Sequence, residues 1–187
     1  MELIPQDSLP QQNFYFIPHH GVFKKGSNKI RVVFNASQKS SKGHSLNSYL
    51  RVGPNLQEEV LTVILRWRFY AYALTCNIVK MYRQFLIHQD DKNWQLILWR
   101  NLITGLLEFF RLLKVTYGEG CAPFQANAAI IELAKLNKAK FPRGAKAIRE
   151  RRYMDDFNLG EDDLEELIRS RDELIQISHT AGLELGK

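Results

Sequence analysis

Cysteine is scarce in this 187-residue chain, which has only Cys76 and Cys121. Two thiols cannot build the disulfide framework of a small secreted domain or a paired-cysteine zinc site. Buried free thiols in a reducing compartment are the plain reading, with Cys76 inside the apolar segment LTCNIV. Long apolar runs are missing too. None approaches the roughly 18–20 residues that cross a bilayer, so no membrane partner is expected. The amino terminus, MELIPQDSLPQQ, has neither the basic start nor the apolar stretch of a secretory leader, and a cytoplasmic location is expected. There is no internal repeat and no low-complexity tract.

Present instead is the composition of an ordinary globular chain, 45% hydrophobic and 25% charged. Its length suits one large domain, or one and a half small ones, with a real core. The net charge of +6 is unevenly spread. Residues 1–152 carry 23 Lys/Arg against 10 Asp/Glu, a balance of +13, while residues 153–187 carry 3 against 10, a balance of −7. A basic body points to a polyanionic partner, nucleic acid above all. A lysine-rich surface with no partner is the bland alternative.

Residues 1–13 are polar and proline-bearing and predict a lead-in without regular structure. Two short β-type runs, residues 22–23 and 30–34, flank the basic turn KKGSNK and predict a hairpin. From Pro54, PNLQEEVLTVILRW sets Leu56, Val60, Val63, Ile64 and Trp67 at helical spacing. Next, FYAYALTCNIV alternates: Tyr72, Leu74, Cys76 and Ile78 face one way, and Ala73, Thr75 and Asn77 form a small, semi-polar face. QFLIHQDDKNWQLILWR reads as strand, turn, strand, and EFFRLLKVTYG as a further strand ending at a glycine. APFQANAAIIELAKLNKAKF predicts a helix of about four turns. RRYMDDFNLG is a hairpin pattern with Asp155 and Asp156 at its tip. EDDLEELIRSRDELIQISHTAG predicts a helix with a stripe of Leu164, Leu167, Ile168, Leu174, Ile175 and Ser178, capped at Gly182. LELGK begins a last strand. The sum is an α+β sandwich, strands with helices packed on one face.

Adjacent carboxylates repel, so Asp155 and Asp156 between apolar residues form either a solvated turn or a cation site. A carboxylate pair at a hairpin tip resembles the metal-binding corner of a template-directed polymerase palm. YMDD is the form it takes in many reverse transcriptases. Four residues are a weak signal, because Asp90 and Asp91 in HQDDKN make a second such pair, read as a solvated turn. The surrounding order is more specific. YFIPHHGVFKKGSNKIRVVFNASQKSSKGHSLNSYLRVGPNL, KMYRQFLIHQDDKNWQLILWR, VTYGEGCAPFQA and YMDD, in that sequence, resemble the reverse transcriptase of Bel/Pao long-terminal-repeat retrotransposons over residues 14–185.

The resemblance implies a right-hand fingers–palm fold over residues 14–187, with an antiparallel palm sheet and no thumb. It also implies RNA-directed DNA polymerase chemistry with two Mg2+ ions, Mn2+ being a substitute, about 3.5–4 Å apart. The implied partners are an RNA or DNA template–primer and deoxynucleoside triphosphates. The rest of a polyprotein is a further partner, with protease upstream and thumb and ribonuclease H downstream. An intracellular setting, including a virus-like particle, goes with it. Asp155 matches the motif's main metal ligand and Asp156 its weaker neighbour. Arg31 matches an arginine on the incoming triphosphate, with Lys24 or Lys25 nearby, since a guanidinium fork suits phosphate oxygens. Tyr82 matches the steric gate that excludes a ribose 2′-hydroxyl, and Tyr117 and Gly118 match the motif against nucleotide and template base. The bland alternatives are a solvated edge-strand arginine, a core tyrosine and a glycine that ends a strand.

One position departs from the family pattern. The family carries a metal-bridging aspartate in the strand before KMYRQ, and Asn77 stands there. An amide offers one neutral oxygen where a carboxylate offers two that share a charge. A severely weakened or dead polymerase is therefore expected. Three other readings stay open: a binding module without chemistry, a palm-like nucleotide cyclase, and a non-functional remnant.

Overall fold

A computed structural model describes residues 1–186, with nine strands and four helices among them. The chain forms two compact units, residues 1–53 with 85–122, and residues 54–84 with 123 onward.

In the first unit β1 (Glu2–Ile4), β6 (Leu107–Arg111) and β5 (Leu96–Arg100) form an antiparallel sheet in the order β1-β6-β5. A separate ribbon pairs β2 (His19–Phe23) with β3 (Ile30–Phe34), from His19 opposite Phe34 to Phe23 opposite Ile30. Alternation along β3 sends Phe34 into a core with Ile17, Ala36, Leu46 and Ile97, and leaves Arg31 in solvent. The basic turn between the strands closes through the Ser27 amide on the Lys24 carbonyl (3.0 Å).

Residues 1–13 do not lack regular structure. β1 docks on β6 and buries Ile4, and three residues are too few to show alternation in a sequence. The segment around Asp90 and Asp91 is a 3-10 turn, Gln89–Trp94, rather than the loop of a hairpin. The Asp90 side chain there is 85% exposed, so the second carboxylate pair is a solvated turn, as its flanks predict.

The second unit is built on a four-stranded antiparallel sheet. Its order is β7 (Arg152–Tyr153), β8 (Asp156–Glu161), β4 (Tyr72–Ile78) and β9 (Leu185–Gly186). Leu74 opposes Leu159 and Cys76 opposes Phe157, so these four share a face. Phe157, Leu159 and Ile78 are fully buried. Asn77, Thr75, Asp156 and Asn158 fall on the opposite, more open face. α1 (Val60–Arg68) lies against β8, where the Trp67 indole N–H donates to the Leu159 carbonyl (3.1 Å). α1 starts at Val60 rather than Pro54. The Asn55 side chain accepts from the Gln57 amide (3.0 Å), a local turn that competes with helix.

α2 (Ala122–Asn137) matches its expected span. α3 (Pro142–Glu150), which sequence reasoning missed, has no long apolar stripe and carries Gly144 in its first turn. Its start is organised by α4 (Leu164–Thr180). The Glu173 carboxylate accepts from the amides of Arg143 (2.6 Å) and Gly144 (3.0 Å), two orphan donors beside the helix-initiating Pro142. The expected α4 stripe is partly out of phase. Leu167, Ser170, Leu174, Ile177 and Ser178 are buried, whereas Leu164 and Ile168 face solvent. Ser178 lies on the expected stripe, whereas Ser170, between Arg169 and Arg171, reads as an outer-face residue. Here Ser170 donates to Glu161 (3.4 Å) and Ser178 to the Leu174 carbonyl (2.8 Å), so both sit inside.

The α3–α4 contact gives a first prediction. A Cβ on Gly144 would lie 2.7 Å from the Glu173 carbonyl carbon and 2.8 Å from the Leu174 nitrogen. In an exposed helix Gly→Ala gains about 1 kcal/mol. Here backbone crowding reverses the sign. Gly144→Ala is expected to lower stability by about 1–3 kcal/mol, read as a lower midpoint in urea with an unchanged slope.

Candidate active-site residues

The acid corner lies at the end of the second unit's sheet. Tyr153 pairs with Asp156, so the turn residues are Met154 and Asp155, and Asp156 is the first residue of β8. This shifts the expected tip by one position. Met154 takes φ +53, a left-handed conformation that costs a non-glycine residue about 1–3 kcal/mol. The buried Arg152 guanidinium braces it by donating to the Met154 carbonyl (2.5 Å). Burial pulls the Arg152 pKa down to about 10, so the group stays charged at neutral pH.

Asn77 sits directly across from Asp156, and the Ile78 amide donates to the Asp155 carbonyl (2.8 Å). Opposed residues of an antiparallel pair bring their Cβ atoms to about 4.5–5.5 Å on one face. On its other side Asn77 pairs with Gly186. A Cβ there would come to 2.6 Å of Asn77 Oδ1, so the missing side chain at 186 is what leaves room for the amide. Burial, then the neighbouring Asp155, pushes the Asp156 carboxyl above its ordinary range. Burial, then Asp155, likewise raises the Tyr82 hydroxyl, and burial, then Asp156, raises the Cys76 thiol. Asn77, Tyr82, Asp155 and Asp156 are thus gathered in the second unit, although 73 or more positions separate Asn77 and Tyr82 from the acids in sequence.

The other candidates belong to the first unit. Lys24, Lys25 and Arg31 stand in solvent on the β2–β3 ribbon. Tyr117 is half-buried: its ring meets Phe34 edge-on at 5.3 Å between centroids, and its hydroxyl donates to the Val32 carbonyl. Gly118 has φ +97, and a Cβ would lie 2.3 Å from the Phe34 carbonyl oxygen. The glycine therefore serves a close approach to the chain's own β3, and it does not end a strand, since β6 stops at Arg111.

Sequence reasoning missed the residues that hold these candidates. Asn47 bonds to Gly118 and Gly120, and the buried Glu119 faces Gln95. A side-chain amide in a serine-rich loop gives no sign of partners more than 70 positions away.

Two adjacent carboxylates and a neutral amide are hard oxygen donors of the kind Mg2+ takes, since that ion needs only one or two protein carboxylates beside substrate phosphates. The set fits one divalent ion at Asp155 and Asp156. It does not supply a third acid, and among the described residues no group of three or more His, Cys, Asp or Glu side chains is placed to hold a metal. No helix among them is long and apolar enough to cross a membrane.

No family model matches the chain, and no curated protein matches it. Solved structures do. The native prototype foamy virus protease–reverse transcriptase superposes with a TM-score of 0.66 at 17% identity, over 93% of this chain and 20% of that one. Its selenomethionine-labelled CSH mutant gives 0.69 at 17% identity, over 96% and 22%. The chain therefore spans about a fifth of the proteins it matches, and a likeness at this identity speaks for architecture. The mixed helix and antiparallel-sheet fold described above is a reverse-transcriptase-like fold.

Proposed function

We propose that this chain is the fingers–palm part of a Bel/Pao-type retrotransposon reverse transcriptase, and that Asn77 has crippled its nucleotidyl transfer. The observation that carries the reading is the register of β4 on β8, which sets Asn77 beside Asp156 and against the Asp155 turn. Asp155 and Asp156 would hold a divalent ion, Mg2+ or Mn2+. When bound, such an ion supplies positive charge against triphosphate oxygens and makes a primer hydroxyl more acidic.

The chain's own residues bind and orient. Lys24, Lys25 and Arg31 offer exposed cations to phosphates, Arg31 as a planar fork. Tyr82, near Asp155, crowds a ribose 2′-hydroxyl. Gly118 offers an exposed stretch of backbone to the nucleotide, and Tyr117 anchors that stretch to β3. Asn77 lacks the charge of the acid it replaces, so the corner attracts a second cation weakly. Similarity to a protease–reverse transcriptase supports nucleic-acid and polyprotein partners.

Template-dictated incorporation by the Asn77→Asp variant tests the assignment. On an RNA template with a single unpaired base beyond the primer, only the complementary deoxynucleotide should be added. Addition without regard to template, or none at all, would reject the polymerase reading. The exposed basic ribbon favours a second reading, nucleic-acid binding without chemistry. That reading predicts affinity falling steeply with salt, as neutralised phosphates release counterions, together with an inert Asn77→Asp variant.

A further inference from the structure

We propose that Asn47 is a positioning residue for nucleotide binding, its one side chain fixing both sides of the backbone turn at residues 117–120. The inference rests on the reading above, in that it takes this turn to be a nucleotide contact. Asn47 Nδ2 donates to the Gly118 carbonyl (3.0 Å) and to Ser37 Oγ (2.8 Å), while Oδ1 accepts from the Gly120 amide (2.8 Å). Both amide protons and the carbonyl oxygen are therefore engaged.

The base of this clamp is rigid. Asn47 follows Leu46, a core residue 1% exposed, within the 3-10 turn Leu46–Ser48. Ser45 and Ser48 close that turn reciprocally, each side chain accepting from the other's amide at 3.2 and 3.1 Å. The Asn47 amide itself donates to the Ala36 carbonyl (3.0 Å).

The remaining residues of the turn are held from elsewhere. The Tyr117 hydroxyl is tied to the Val32 carbonyl, one residue from Arg31, and Glu119 is buried against Gln95. Between these ties, Gly118 is exposed and has no side chain. The space of the missing side chain is taken by the Phe34 carbonyl, so what Gly118 presents to solvent is a backbone segment that is exposed and already immobilised, and immobilising it beforehand removes an ordering cost from binding.

The test is equilibrium binding of a fluorescent deoxynucleoside triphosphate with Mg2+ to the full chain on a template–primer blocked at its 3′ end. Each variant is read beside its thermal unfolding midpoint. Asn47→Ala should weaken binding about tenfold or more, from the loss of two backbone contacts. Asn47→Asp keeps the shape and the Gly120 acceptor but loses the donor to Gly118, and should also weaken binding. Should Asn47→Ala fail to fold, this second variant decides. Ser37→Ala, which leaves both turn contacts in place, should bind within about twofold of the native chain. Asn47 variants that bind like the native chain, whatever their midpoint, would overturn the inference and leave the functional reading standing. A native chain that binds no nucleotide would overturn both.

Discussion

Replacing Glu119 by glutamine is expected to remove most of a pH dependence of stability between pH 4.5 and 7. Glu119 is 6% exposed, and burial raises its pKa from 4.5 to about 7. Its neighbour Gln95, itself 2% exposed, faces three acceptors, Glu119 Oε1 (3.1 Å), Thr116 Oγ1 (2.6 Å) and the Lys114 carbonyl (3.2 Å), and its amide is assigned with the nitrogen on that side because only that orientation satisfies them. An amide has two protons for these three acceptors, so it compensates a buried charge only in part. Because the folded pKa lies above the unfolded one, the folded chain keeps a proton that the unfolded chain has released across this window. Stability therefore falls as pH rises, by about 1.4 kcal/mol per unit and on the order of 3 kcal/mol in all. Urea titrations of the native chain and Glu119→Gln at pH 5 and 7.5 should diverge by that amount, the variant being favoured at the higher pH. Parallel curves would mean that Glu119 ionises as an exposed glutamate does.

The same residue shows where sequence reasoning stops. TYGEG marks a turn motif, but nothing in those five letters says that the glutamate is buried. Its burial depends on Gln95, which a linear reading assigns to a strand start. Elements with a clear period were legible: β4 by its alternation, α2 and α4 by their length, and the basic ribbon by its glycine-bearing turn. β1 and α3 were not. One is three residues long, and the other depends on a carboxylate from α4 to start and on a glycine to approach it. The acid corner was legible as a motif and off by one residue as a turn. A hairpin tip that places methionine at positive φ contradicts local preference, and a buried arginine holds it there. The Asn47 clamp was illegible, because its partners are joined only by the packing of the first unit's core.

Asn77→Asp carries the largest expected effect on function. The exchange is isosteric, so the space that Gly186 leaves for the amide also takes the carboxylate. It adds a third negative charge to a corner where Asp155 already raises the proton affinity of Asp156. Without a cation the variant should be no more stable than the native chain, since like charges on neighbouring strands repel. With Mg2+ present that repulsion becomes attraction for the ion, and the metal should stabilise the variant more than the native chain. One preorganised charged group in an active site is worth about 10²–10³ in rate, and the variant should gain at least that.

Primer extension on an RNA template in Mg2+ decides whether Asn77 is what keeps this corner from working as a polymerase site. The native chain and Asn77→Asp are compared at equal concentration. The variant should extend the primer at about 10² times the native rate or more. Equal rates, or a variant as silent as the native chain, would show that the missing charge at residue 77 does not limit this site.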